Sequence, residues 1–346
     1  GAGVGGEYNL IQIIPYVLVL VGGIIGINVF VVLLIGIFTG SIIMLATGAT
    51  AATDLSVPLV LVYDQLEKPA RATVKAVYDQ IIADLNAAEA LLAEVPGKVR
   101  SELPTVDAVK ALKARYYLDT QDYANAATAA EAVISSAAGY KLASTADEMT
   151  TEYINEEGTE PILQLFACQT EGRANSAIFT SVGNDDKVGK YFSPYFIPSA
   201  LLIDSYDAND LRLTNWFTNS KYPVKMTGAY HDGVYVFTKY IGNPALQTGS
   251  VEAGYIHARP ILIGEMYLIA AEAHAMNNNP TAAKTALNAL QTARNAKNTD
   301  ASNSSISNCS CSSAASLASS AWSDGDASVE GSTKSSSYGA ALSTSS

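Results

Sequence analysis

The sequence predicts a mainly α-helical protein: a scaffold of helical hairpins carrying a loop-rich insertion that contains short strands. Three observations lead there. Apolar residues recur at three- and four-residue steps over much of residues 69–139 and 259–294. Turn-forming residues interrupt those stretches where a hairpin would reverse. Between them, residues 142–257 lose the helical period and break into short apolar runs among Gly, Asn, Asp and Pro.

Taken in order, the chain opens on an uncharged block. No Asp, Glu, Lys or Arg occurs from Tyr8 to Thr53, and the first basic residue is Lys68. By length the block spans a bilayer twice, at about 20 apolar residues per helical span. Gly22, Gly23, Gly26, Gly36 and Gly40 interrupt it, however, and no Lys or Arg flanks it. It has neither the basic start of a secretory signal nor the cysteine that ends a lipoprotein signal. Three readings stand: a buried helical pair opening the domain, a transmembrane hairpin, and a stretch whose residue identities are not the natural ones. The first is preferred, and residues 1–53 are set apart as an apolar N-terminal block.

Asp54 to Lys68 reads as an extended lead-in containing Pro58. From Pro69 to Val95 the pattern is helical, with Val74, Val77, Tyr78, Ile81, Ile82, Leu85, Ala88 and Leu92 on one face and Pro96-Gly97 as the stop. A first hairpin follows. Val109, Leu112, Arg115 and Tyr116 mark a helix over Thr105–Leu118, Thr120-Gln121-Asp122 turns the chain, and Tyr123, Ala126, Ala127, Ala130, Val133 and Ile134 carry the return helix to Gly139. A second hairpin lies in Arg259–Arg294. Ile263, Met266, Tyr267, Ala270, Ala271 and His274 line its first helix, and Asn277-Asn278-Asn279-Pro280 stops it. Asn279 or Thr281 caps the second, which presents Ala283, Ala286, Leu287, Leu290 and Ala293. An offset of 156 positions places Ala114 on Ala270, Asp122 on Asn278 and Ala130 on Ala286. This rhythm of small residue, turn and small residue is that of tetratricopeptide-type repeats, helix pairs that need neighbours to cover their faces.

The helical domain therefore runs over residues 54–297, with residues 142–257 inserted between its hairpins. The insertion holds most of the polar aromatics, and loops on a rigid scaffold are where binding residues concentrate. Residues 298–346 contain 19 serines and no periodic apolar face, and read as a low-complexity tail.

Composition excludes several functions. Between Asp54 and Lys297 there are 28 acidic and 20 basic residues, so a phosphate-backbone partner is not expected and nucleic acid falls to the bottom of the order. Cys168, Cys309 and Cys311 form no disulfide framework and show no zinc spacing. Neither G-x-S-x-G, HExxH, a phosphate-binding loop nor a dinucleotide fingerprint occurs. His231, His257 and His274 are dispersed, so no enzyme chemistry, cofactor or metal is expected. The run from Asp204 through Asp207 and Asp210 to Arg212 has oxygen ligands at alternating spacing, but it lacks the glycine and distal glutamate of a calcium loop. A helix end with an Asp/Arg pair accounts for it better.

Exposed aromatics supply flat faces on which a ligand stacks, and flanking polar side chains bond its edges. The candidate ligand-binding residues are Trp216 with Asn215 and Asn219, Tyr230 with His231 and Asp232, and then Tyr191 and Tyr195. The competing reading for each aromatic is ordinary core burial.

Four segments, residues 57–92, 108–134, 193–217 and the 259–294 hairpin with its GEMYLIAAEA and LNALQTAR, resemble the SusD/RagB family in order and spacing. These are the surface nutrient-binding lipoproteins of Bacteroidetes. The resemblance implies a SusD-like fold of tetratricopeptide-like helix pairs holding a loop-rich binding region. It also implies an outer-membrane, cell-surface, lipid-anchored location, although the anchor cysteine is not present in this sequence. The implied function is non-catalytic binding of oligosaccharides and their delivery to a SusC-like TonB-dependent transporter. A peptide-binding RagB-like role, or a general tetratricopeptide adaptor, is the alternative. An arginine commonly stands three positions before the family's counterpart of Glu265, and here that position is Leu262.

Overall fold

The computed structural model of the protein describes residues 52, 54–62, 64–66, 68–170, 174–175, 180–247 and 254–298. The uncharged block, apart from residue 52, and the serine-rich segment beyond residue 298 lie outside the described residues, as do the expectations attached to them. Among the described residues no helix is long and apolar enough to cross a membrane.

Two compact units divide at Asp84 and Leu85. In the first, β1 (Leu55–Pro58) pairs antiparallel with β2 (Arg71–Thr73). The Arg71 guanidinium ties them by donating to the carbonyls of Ser56 and Leu55. This pairing delays the start of α1 (Val74–Leu91), which was expected from Pro69. Thr73 Oγ1 then accepts from the Ala76 amide at 3.1 Å, satisfying a donor in the first turn.

In the second unit α2 (Val106–Asp119) and α3 (Tyr123–Ile134) form the first hairpin. Thr105 caps α2 through the Ala108 amide, and Asp122 caps α3 through the Asn125 amide. The return helix stops at Ile134 rather than Gly139, with Ser135 as its cap. The chain then runs through α4 (Ala146–Tyr153), β3 (Pro161–Leu163), β4 (Ala174–Asn175), β5 (Thr180–Asp185) and β6 (Gly189–Pro194). Next come α5 (Ala200–Asp204), α6 (Leu211–Trp216), β7 (Phe217–Thr218), β8 (Val224–Met226) and β9 (Ala229–His231). The strands β10 (Val236–Phe237), β11 (Tyr255–Ile256) and β12 (Ile261–Leu262) lead into α7 (Ile263–Met276) and α8 (Pro280–Ala293). The described chain is thus mainly helical, and most of its strands are short.

Residues far apart in sequence close the base of the inserted segment. β3 pairs antiparallel with β12, Ile261 opposite Leu163, which brings the end of the insertion beside its beginning and sets α7 against the first hairpin. The interface is built of small residues. Ala108, Ala111, Ala114, Ala126, Ala130, Ala270 and Ala273 are buried together with Val133, Ile162, Ile263, Met266 and Ile269. Alanine lets helix backbones approach closely and loses no side-chain entropy on burial.

The two hairpins correspond element for element, with one adjustment. Val106 to Ile263, Asp119 to Met276 and Asp122 to Asn279 are each separated by 157 positions, not 156. In this register the caps coincide, since Asn279 caps α8 through the Ala282 amide as Asp122 caps α3. Both turns also place a residue at positive φ just before the cap, Gln121 at 61° and Asn278 at 55°. Pro280 occupies the first turn of α8, where its missing N–H costs nothing.

Candidate functional site

Among the described residues the largest sheet has the order β5-β6-β8-β9 and is amphipathic. Its shape follows from two hairpin turns. Thr227 and Gly228, at φ 49° and 86°, form the two-residue link that sets Lys225 opposite Tyr230. Asp185 accepts the Lys187 amide at 2.8 Å, and Gly189 at φ 71° completes the turn that sets Gly183 opposite Tyr191. Because side chains alternate along a strand, Val182, Phe192 and Val224 point into a core with Val236 and Ile241. Tyr191, Lys225 and Tyr230 occupy the opposite face.

On that face the Tyr191 and Tyr230 rings meet edge to face, with centroids 5.5 Å apart and planes at 69°. The Lys225 ammonium lies 4.9 Å from the Tyr191 centroid and 5.4 Å from that of Tyr230. The Tyr230 hydroxyl donates to Asp185 Oδ2 at 2.8 Å. Tyr191 lies over Gly183 so closely that a Cβ there would be 2.3 Å from its Cζ. The Lys187 amide and then the Tyr230 hydroxyl hold the Asp185 carboxyl below its ordinary range. Hydrogen bonding to Tyr230, followed by the neighbouring tyrosines, holds Lys225 above its usual value, so the ammonium stays charged. A half-exposed pair of aromatic rings, a fixed cation and a fixed carboxylate make a surface able to stack on a sugar and bond its substituents.

The expected site residues are distributed as follows. Tyr191 and Tyr230 come together. Tyr195 lies just past β6, 71% exposed beside exposed Phe196 and Ile197. His231 sits opposite Val224 in the register, on the other face of the sheet from Tyr230, and Asp232 is exposed in the bend beyond β9. Trp216 is 7% exposed in a separate core cluster with Met149, Tyr153 and Phe217. Its ring meets Tyr153 edge-on at 5.4 Å, and the Lys239 ammonium lies 4.4 Å from its centroid. The Asn215 amide donates to the Leu211 carbonyl at 2.9 Å and accepts from Thr150, while Asn219 is half-buried after β7. Lys225, Asp185 and Gly183 complete the surface. The Thr227-Gly228 turn was the signal that pairs Lys225 with Tyr230.

Two groups of titratable residues elsewhere are committed to structure. Asp210 caps α6 and forks to Arg212, with Nη2 to Oδ2 at 2.7 Å, so this Asp/Arg pair closes the helix start. Three buried carboxylates, Glu152, Glu156 and Glu160, face two buried arginines. Arg294 Nη2 donates to Glu160 Oε1 at 2.6 Å, and Arg259 Nη1 donates to Glu152 Oε1 at 3.1 Å. The Glu156 carboxylate also accepts from the His257 amide at 2.8 Å. Burial, the neighbouring Glu160 and an opposing contribution from Arg259 leave the Glu152 carboxyl raised to about 7. The three carboxylates and both guanidinium groups are thus almost entirely shut off from solvent. Among the described residues no group of His, Cys, Asp and Glu is arranged to hold a metal ion.

The helical-hairpin scaffold mounts an amphipathic sheet with an aromatic outer surface, and comparison with known proteins gives the family. A model described as starch-binding, associating with the outer membrane, matches residues 28–118, and the SusD family model matches residues 169–315. Together they cover more than half of the chain, which belongs to the SusD/RagB family. The matches begin inside the uncharged block and end inside the serine-rich segment, so the likeness extends beyond residues 57–294 at both ends.

Solved structures share the fold. A SusD superfamily protein of Bacteroides thetaiotaomicron is 24% identical, with a TM-score of 0.55, over 72% of this chain and 53% of its own. Surface glycan-binding protein A of Bacteroides uniformis is 16% identical, with a TM-score of 0.54, over 72% and 56%. A SusD-like carbohydrate-binding protein of Bacteroides vulgatus is 19% identical, with a TM-score of 0.52, over 74% and 51%. The chain thus spans about half the length of these relatives. No curated protein matches it.

Proposed function

We propose that the chain is a non-catalytic, cell-surface protein of the outer membrane, lipid-anchored, that binds oligosaccharides and delivers them to a SusC-like TonB-dependent transporter. The observation that carries this reading is the paired Tyr191 and Tyr230 rings with Lys225 and Asp185 on the outer face of the sheet. Family membership supports it, as do the carbohydrate-binding descriptions of proteins that share the fold. In this reading residues 54–297 form the binding domain, and the ligand meets it within 142–257.

Affinity electrophoresis and isothermal titration against a panel of polysaccharides test the reading. Binding of a polysaccharide that Tyr191→Ala weakens supports it. Uniform absence of saccharide binding, with peptides bound instead, assigns the surface to a RagB-like peptide role. Co-purification from native membranes tests the transporter: an outer-membrane barrel supports delivery, and a soluble partner alone supports a tetratricopeptide adaptor.

A further inference from the structure

We infer that the Tyr191–Tyr230 surface selects anionic saccharides, those with a carboxylate or sulfate on the sugar ring, through the Lys225 ammonium held between its two aromatic rings. This rests on the proposed saccharide-binding role. The chain as a whole is strongly acidic, at −12, and attracts no anion through its overall charge. Its outer sheet face is different. Lys225 is not extended into solvent; its ammonium stands about equally far from both ring centroids, in the position from which a stacked sugar's substituents are reached. A neutral sugar's hydroxyl also accepts from a fixed ammonium, but a carboxylate or sulfate on the ring adds an opposite charge to the same hydrogen bond and gains more from it.

The neighbouring carboxylate does not cancel this arrangement. Both oxygens of Asp185 are already engaged, Oδ1 by the Lys187 amide and Oδ2 by the Tyr230 hydroxyl. Those bonds hold the carboxylate between the turn and Tyr230, while Lys225 Nζ, one of whose three donors goes to Tyr230, stands beside both rings with donors to spare. Lys190 and Lys221 lie 5.9 and 5.2 Å from the centroid of Tyr222, which packs on Phe192 at the core side of the sheet, so the ammonium beside Tyr191 and Tyr230 is that of Lys225.

The test holds the sugar constant and changes only its charge. Binding of the full chain is measured to polygalacturonate and to its methyl ester, and to dextran sulfate and unmodified dextran. At low salt the acidic member of at least one pair is expected to bind about tenfold tighter, as one charge-assisted hydrogen bond supplies. Raising the salt toward 0.5 M should remove that preference, Lys225→Met should abolish it, and Lys225→Arg should keep it. Preference in the first pair identifies a carboxylate ligand, and preference in the second a sulfate. Equal binding of charged and neutral members, lowered alike by Tyr191→Ala, overturns the charge selection and leaves the saccharide role standing. Binding to none of the four and to no other polysaccharide overturns both. Circular dichroism of each variant confirms that it is folded, so a loss of binding is read at the surface itself.

Discussion

Arg115 on α2 and Glu265 on α7 form a forked ion pair across the two hairpins, 150 positions apart in the chain. Arg115 Nη2 donates to Glu265 Oε2 at 2.6 Å and to the Pro260 carbonyl, while Nε donates to Oε1. Glu265 also stands in the first turn of its helix, where a negative charge is favoured. The partner sought at position 262, where Leu262 stands, is supplied instead by the other hairpin. With side chains 23% and 11% exposed, Arg115→Met or Glu265→Gln should each lose about 1–3 kcal/mol, read from urea midpoints. The double variant should lose less than the sum, because each single change leaves one half-buried charge without its partner. Strict additivity would show that the pair is not coupled.

Gly97 is required by a neighbour ten positions on. A Cβ there would stand 1.7 Å from Asp107 Oδ2 and 2.8 Å from the Tyr140 hydroxyl oxygen. Asp107 is buried and accepts from Ser136 Oγ and Tyr140, whose phenol is pushed up by burial and by this carboxylate. Gly97→Ala forces the carboxylate off both donors and should cost about 2–4 kcal/mol of stability. If Asp107 is the obstacle, adding Asp107→Ala to Gly97→Ala should cost less than Asp107→Ala does alone.

The scaffold was legible because helical periodicity and capping residues are local signals. Asp122 and Asn279 mark their helix starts whatever packs around them, and the alanine faces of both hairpins follow from spacing. The one-residue difference in their offset arose because small residues at many positions allow either alignment, while only the caps fix it. The candidate surface was half legible. Composition marks Tyr191 and Tyr230, whereas His231, next to Tyr230 in the strand, points to the opposite face. Asp185, Gly183 and Lys225 reach the site only through strand pairing, and a linear reading does not reveal a register that two turns establish.

Trp216 separates core from ligand contact by experiment. It ends α6 among Met149, Tyr153 and Phe217, so Trp216→Ala should cost about 3–5 kcal/mol of stability, the range for emptying a large aromatic site. Urea denaturation measures this directly. Saccharide affinity of the folded fraction should change far less than in Tyr191→Ala. The opposite pattern, normal stability with lost binding, would return Trp216 to the ligand surface.

Glu152 should give the stability an unusual pH dependence. Its carboxyl is raised from 4.5 to about 7, so the native state favours the protonated form. The stabilisation from this group is complete below its unfolded value near 4.5 and is lost as pH rises through about 7. Glu152→Gln imitates the protonated carboxyl and removes the slope. Relative to the native chain, the variant should therefore gain on the order of 3 kcal/mol between pH 4.5 and pH 8, on top of any constant offset. Unfolding at four or five pH values measures this, and a flat difference would mean that Glu152 does not titrate there.

Gly183 tests the outer face without removing any of its chemistry. The Tyr191 ring lies over this glycine because no Cβ stands between them, and one added there would be 2.3 Å from Cζ and 2.5 Å from the hydroxyl oxygen. Those atoms are the far end of a half-exposed side chain, free to swing outward, so Gly183→Ala should lower stability by no more than about 1 kcal/mol. Moving the ring is more costly to function. Once displaced from the sheet, Tyr191 no longer meets Tyr230 at 5.5 Å or covers Lys225, and a sugar loses one of its two aromatic contacts. Saccharide affinity should fall roughly tenfold, the scale of one aromatic contact. Because Tyr191, Lys225, Tyr230 and Asp185 are all still present, such a loss is assigned to geometry rather than to a missing group. Unchanged affinity in a folded Gly183→Ala chain would mean that the ring's position over β5 plays no part in binding, and would move the search for the ligand surface toward Tyr195 and the exposed residues beside it.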